Sequence, residues 1–176
     1  SHALWALGFP DQALQRATFG RELLDGRSDA NTTGYSLIFL SLLHLFRREA
    51  SSAKATAAIL RSFAEDRGSR FWIIGAEVIE GCALTMDGNH EGAIARLEGP
   101  LRWRSEAGSH QHAPFLHSML ARSYLHCDRC NEALRWIDEA LERIRDTEQY
   151  FYQPSVLITR AEALWLTGER SDLIEE

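Results

Sequence analysis

At 176 residues, with 45% hydrophobic and 25% charged content, the chain is long enough to bury a sizeable core and has the make-up of an ordinary globular protein. Lys+Arg 19 against Asp+Glu 25 leave a net charge of -6, which argues against nonspecific binding to nucleic acid or anionic lipid, because counterion release needs a surplus of cations. No run of about 18 apolar residues occurs, so neither a membrane span nor a secretory leader is expected. Cys82, Cys127 and Cys130 form an odd set without disulfide-framework spacing, which suits a reducing compartment and predicts a cytoplasmic protein.

Taken in chain order, apolar residues at three- and four-residue spacing predict helices over Pro10–Asp25, Thr33–Arg47, Ser51–Asp66, Phe71–Asp87, His90–Glu106, Pro114–Cys127, Asn131–Thr147 and Pro154–Thr167. No strand is predicted. Pro114 and Pro154 stand at helix starts, where a missing N–H costs nothing. Gly99-Pro100 falls inside a helix, which predicts a kink or break there.

These helices repeat. Ala13, Ala53, Ala93 and Ala133 stand 40 residues apart, and Leu173 takes the next place. Five residues ahead of them come Gly8, Arg48, Gly88, Asp128 and Gly168, where one helix is expected to stop and the next to start. Twelve ahead stand the small residues Ser1, Ser41, Gly81, Ala121 and Ala161. Two small-residue columns flanking a turn column are what two antiparallel helices need where they cross closely, so the pattern predicts stacked helical hairpins. Repeat units fall at about 1–30, 31–70, 71–110, 111–150 and 151–176. The frame opens inside a first helix and ends a few residues into a second, which predicts a segment cut from a longer chain, with apolar surface exposed around Trp5 and Trp165.

The order small residue, turn glycine, alanine resembles the tetratricopeptide repeat, with good local copies in LTMDGNHEGAIARL and LWLTGERSDL. Arg48 and Asp128 depart from the turn glycine, and the 40-residue period exceeds the usual one of about 34. From Trp5 to Leu173, and most clearly from Phe71 onward, the chain is similar to the C-terminal repeats of bacterial signalling ATPases joined to nucleotide cyclase-like or winged-helix output domains. The resemblance implies an all-α, right-handed superhelical solenoid of antiparallel helix pairs, with a regulatory role and no catalytic machinery of its own.

Residues that invite a chemical reading are weighed against plainer roles. His126-Cys127-Asp128-Arg129-Cys130 contains C-x-x-C, but a structural zinc site needs four ligands and no second pair matches, so turn residues are expected. His110, His112 and His117 cluster before a first helix and are expected to be solvated. Glu77 and Glu80 share a helix face but lack a positioned nucleophile, so solvent or a cation is their expected company. No phosphate-binding glycine motif occurs, and the five tryptophans lack the interleaved basic residues of a single-strand binder. No catalytic, cofactor or metal residue is assigned.

The resemblance places a partner groove on the first helices. Its entrance side is Tyr35, Gly75, Phe115 and Ser155; one turn later come Ile38, Val78, Ser118 and Ile158; beyond the small column stand Leu42, Cys82, Arg122 and Glu162. Such a groove is apolar and aromatic around Tyr35 and Leu42 and polar around Arg122 and Glu162, which would pair across neighbouring helices. The competing reading is that these residues only pack between repeats. A protein or peptide, or another domain of the same chain, is the expected partner, with homodimerisation through exposed solenoid ends also expected. A small-molecule sensor of a transcriptional regulator is the alternative function.

Overall fold

A computed structural model describes residues 1–24 and 29–168. Every regular element among them is helical. The elements are α1 (His2–Ala6), α2 (Pro10–Leu23), α3 (Ala30–Phe46), α4 (Ala50–Glu65), α5 (Arg70–Met86), α6 (His90–Glu106), α7 (Ala113–His126), α8 (Cys130–Thr147) and α9 (Gln153–Thr167), with a 3-10 turn at Tyr150–Tyr152 before α9. The predicted helices are all present among the described residues, with ends moved by a few positions. The expected end of the first of them at Asp25, and the Leu173 position of the alanine column, lie outside the described residues.

The chain forms two compact units, Ser1–Asp87 and Gly88–Glu176. In the first, α1 packs on α2, α2 on α3, α3 on α4 and α4 on α5, while α3 also touches α5. In the second, α6 packs on α7, α7 on α8 and α8 on α9, while α7 also touches α9. Inside each unit, consecutive helices thus pack on one another, and first helices of the same unit also meet.

Local chemistry sets the helix ends. Asp29 caps α3 by accepting from the backbone N–H groups of Asn31 (2.9 Å) and Thr32 (3.0 Å), and the Thr32 hydroxyl donates to its other oxygen. Those bonds hold its carboxyl below the usual range, the Thr32 hydroxyl most of all. Asn89 caps α6 through the N–H of Gly92. At the far ends, helices reverse through a left-handed residue closed by two hydrogen bonds. At Arg48 the Arg48 N–H donates to the Leu45 carbonyl and the Glu49 N–H to that of His44. The same pair recurs at Gly8, Gly68, Gly108 and Asp128.

The left-handed residues carry the repeat. Gly8, Arg48, Gly88, Asp128 and Gly168 all have positive φ, so arginine and aspartate take the conformation that glycine takes elsewhere in the column. Between them, Gly68, Gly108 and Glu148 form a second such column, again 40 residues apart, and the two columns interleave at 20. One hairpin is therefore two helical halves of equal repeat length. The four column alanines, Ala13, Ala53, Ala93 and Ala133, are wholly buried, as are Ser41 and Ala121 of the small column. Burial is also periodic: residues 51–70 and 131–150 share one pattern of buried, half-buried and exposed positions throughout, although few residues are identical.

Of the kink or break expected at Gly99-Pro100, the break does not occur, since α6 runs without interruption from His90 to Glu106. Proline removes the N–H that would meet the Arg96 carbonyl, but Arg96 and Gly99 are both exposed, so water can take the donor's place. Among the described residues no helix is long and apolar enough to cross a membrane.

Candidate interaction surface

In the first unit, α3 and α5 approach closely because two glycines leave room. Trp72 of α5 lies on the backbone of Gly34, where an added Cβ would be 2.3 Å from the indole. Ile38 of α3 lies on Gly75, where a Cβ would be 2.8 Å from Ile38 Cδ1. Beneath them Trp72 joins Leu37, Leu60, Ala64 and Ala76 in one apolar cluster. Leu42, Val78 and Cys82 are buried, so they pack between helices, whereas Ile38 is half-buried and Tyr35 is 43% exposed.

Tyr35 is the middle of a continuous row of rings. It stands edge-on to Trp72 (centroids 4.9 Å apart) and Phe71 (6.5 Å) and parallel to Phe39 (6.1 Å). Phe39 meets His2, His2 meets Phe46, and Phe46 meets Trp5 of α1. These contacts run along the three first helices of the unit, and each adds roughly 0.5–1.5 kcal/mol beyond area burial.

The second unit repeats the centre of this row at an 80-residue offset: Phe115, Phe151 and Tyr152 stand where the first unit has Tyr35, Phe71 and Trp72. Phe115 and Phe151 both lie against Tyr152, at 6.2 and 5.1 Å. Tyr152, like Trp72, is the buried ring, and its hydroxyl shares a hydrogen bond with His112 Nδ1. Burial pushes its phenol up to about 12. Of the remaining predicted positions, Ser118 is buried with its hydroxyl on the Phe115 carbonyl, Ser155 is exposed with its hydroxyl on that of Tyr152, and Ile158 is 62% exposed.

Arg122 and Glu162 are both exposed, and the ion pair expected between them does not form. Nearby, His90 and His126 stack with centroids 4.2 Å apart, and the Arg122 charge acts on His90. Burial, followed by the charges of His126 and Arg122, pulls His90 below its ordinary value.

The chemical candidates resolve into packing and pairing. Arg61 of α4 donates to both carboxylate oxygens of Glu80 (3.0 and 2.8 Å) and lies 4.0 Å from Glu77, so a cation faces the two carboxylates. Cys127 and Cys130 are free and half-buried at the α7–α8 turn, and burial, then Glu91, pushes the Cys127 thiol up. Among the described residues no group of three or more His, Cys, Asp or Glu is placed to hold a metal ion.

The expected solvation of the three histidines is corrected for two of them. His112 bonds Tyr152, and His117 is only 3% exposed, because it lies within α7 on the face that meets α8. Its ring stands edge-on to Trp136 at 5.0 Å, and its Nδ1 has no protein partner. Burial above all, then the charges of Arg143, Arg104 and His110, lowers it to about 4. His117 lines a small recess between the end of α6 and the start of α7, whose other walls include Arg104, Ser105, Ser109 and His110 over Leu101 and Leu116.

The rings missing from the expected surface are Phe71, Trp72, Phe151 and Tyr152. Their signal was present as the aromatic doublets Phe71-Trp72 and Phe151-Tyr152, 80 residues apart, which the alanine and glycine columns overshadowed. Comparison with protein-family models, with curated proteins and with solved structures finds no match to this chain.

Proposed function

We propose that the chain is a run of tetratricopeptide-like helix pairs stacked as a solenoid, and that the first-helix faces bind a protein or peptide, or another domain of a longer chain. The observation that carries this reading is the repeated aromatic group, in which a solvent-reaching ring rests on a buried one: Tyr35 on Trp72 in one unit, Phe115 and Phe151 on Tyr152 in the other. A ring fixed from below loses little freedom on binding and offers a large apolar face, which is why aromatic residues dominate binding hot spots. Exposed Ile158 extends the apolar surface in the second unit, and exposed Arg122 supplies a cationic margin suited to an acidic ligand group.

The sequence resemblance extends this proposal to a regulatory segment of a cytoplasmic bacterial signalling ATPase with a cyclase-like or winged-helix output domain. Homodimerisation remains part of the same proposal, through apolar residues such as Trp165, which is 59% exposed.

The test is to select peptides by display against the whole chain and measure their binding by fluorescence polarisation. Tyr35→Ala is expected to weaken binding by at least about tenfold, as loss of an aromatic anchor does, with melting close to the parent. Ala58→Arg on α4 and Asp138→Arg on α8, at matching exposed positions of second helices, are expected to leave binding intact. Binding that ignores Tyr35 but is abolished by those two changes would contradict the proposal.

A further inference from the structure

Every residue of α7 is buried except Phe115, Arg122 and His126. Phe115 and Arg122 stand seven positions apart and Arg122 and His126 four, so all three lie within about 40° of one line along the helix. α7 therefore meets solvent through a stripe one side chain wide, with a ring near one end and a guanidinium about 10 Å further along. We propose that this stripe binds a peptide segment in the polyproline II conformation, which sets an aromatic or aliphatic side chain on Phe115 and a carboxylate, about three residues away, on Arg122. The proposal rests on the reading of the first-helix faces as a peptide surface and adds to it the partner's chemistry and spacing.

The two ends of the stripe differ in kind. Phe115 is half-buried against the buried ring of Tyr152, and exposed Phe151 lies against the same ring, so the apolar end is fixed from below. α9 packs on α7, and its exposed Ile158 takes the place of Ser118 in the 40-residue register, which borders the stretch between ring and guanidinium with an apolar side chain. At the other end Arg122 is exposed, and among the described residues no carboxylate pairs with it. His126 closes the stripe with its ring stacked on that of His90. A guanidinium without an internal carboxylate keeps its planar fork for one that a partner supplies.

The width and length of the stripe decide the partner's form. Buried residues flank it on α7, so a helix about 10–12 Å across would meet α7 along a single line. In a β-strand, residues three apart point to opposite faces. In polyproline II, with three residues per turn, they return to the same side after about 9 Å, which matches the span from Phe115 to Arg122. Proline between the two contacts holds that conformation in advance and lowers the entropy lost on binding.

The experiment selects short random peptides by display against the full chain and measures the selected peptides by fluorescence polarisation. Enrichment of an acidic residue three places from an aromatic or aliphatic one, with proline between them, is expected in one of the two orders. Changing that acid to its amide should weaken binding about tenfold, R122Q should do the same, and the two together should add little, because one contact is then removed twice. A selection repeated against R122E should replace the acid by lysine or arginine. Arg122 is exposed, so both variants should melt with the parent. Selected peptides that lose affinity with Phe115→Ala yet carry no acid at that spacing, or that bind R122Q as tightly as the parent, overturn the partner's chemistry and leave the first-helix reading standing. Phe151→Ala, at an exposed ring, takes the place of Phe115→Ala if the latter melts early. Peptides indifferent to these changes and to Tyr35→Ala, or no selected peptide at all, overturn both.

Discussion

The indole of Trp72 lies directly on the backbone of Gly34, so closely that a Cβ on Gly34 would stand 2.3 Å from Trp72 Cε2. Residues 38 positions apart thereby set the spacing of α3 and α5, and the same approach holds Tyr35 against the edge of Trp72. Neither Trp72 nor the helix backbone can yield cheaply, because Trp72 is buried among Leu37, Leu60, Ala64 and Ala76. Gly34→Ala is expected to cost about 1–3 kcal/mol by overpacking, despite the better helix propensity of alanine. Urea unfolding followed by tryptophan fluorescence measures it; stability equal to or above the parent would show that α3 and α5 are not locked at this point.

The left-handed residues give a prediction of opposite sign. Arg48 occupies φ 61 and is exposed, while Gly88, one repeat later, occupies φ 79 with no atom within 4 Å of a would-be Cβ. The cost of a side chain at such a position is therefore one of backbone conformation. Arg48→Gly should stabilise by about 0.5–1 kcal/mol, the relief of left-handed strain outweighing the added freedom of the unfolded chain. Gly88→Ala should destabilise by about 1 kcal/mol for the converse reason. Denaturation midpoints of the two variants should move in opposite directions.

Most of the helical layout was legible because three kinds of signal agreed: apolar spacing, the 40-residue alanine column and the turn column. Arg48 and Asp128 looked like departures from the turn glycine, yet the two hydrogen bonds that close each reversal impose the left-handed conformation whatever the side chain. The second left-handed column was harder to see, because Glu148 breaks the glycine pattern of Gly68 and Gly108. Pro100 does not break α6, because propensity is local and the cost of proline depends on whether water can reach the carbonyl it strands. At the surface, sequence register named Tyr35 and Phe115 but could not separate them from Leu42, Val78 and Cys82, since a groove and a helix-helix contact are both apolar. The sequence pattern expects His117 to be solvated, whereas its burial is decided by Trp136 on the next helix, a contact no local pattern encodes.

Burial of His117 also predicts a pH dependence. In the unfolded chain the imidazole takes up a proton as pH falls below its ordinary value of 6.5, whereas in the folded chain it stays neutral down to about 4. The unfolded state therefore binds more protons across this window, and stability falls as pH drops from about 6.5 to 4, by up to roughly 3 kcal/mol from this group. His2 and His90, both lowered chiefly by burial, act in the same direction. Equilibrium unfolding across that range should show the decline, and His117→Gln should flatten it; an unchanged slope in His117→Gln would mean that His117 is not the group responsible.

The most direct test of the interaction reading is hydrogen exchange of the full chain with and without a peptide obtained by display. The account predicts slowed exchange along the first helices, centred on Tyr35 to Phe39 and Phe71 in the first unit and on Phe115 and Phe151 in the second. Protection confined to the exposed faces of α4 and α8, around Ile59 and Glu139, with the aromatic rows unaffected, would contradict it.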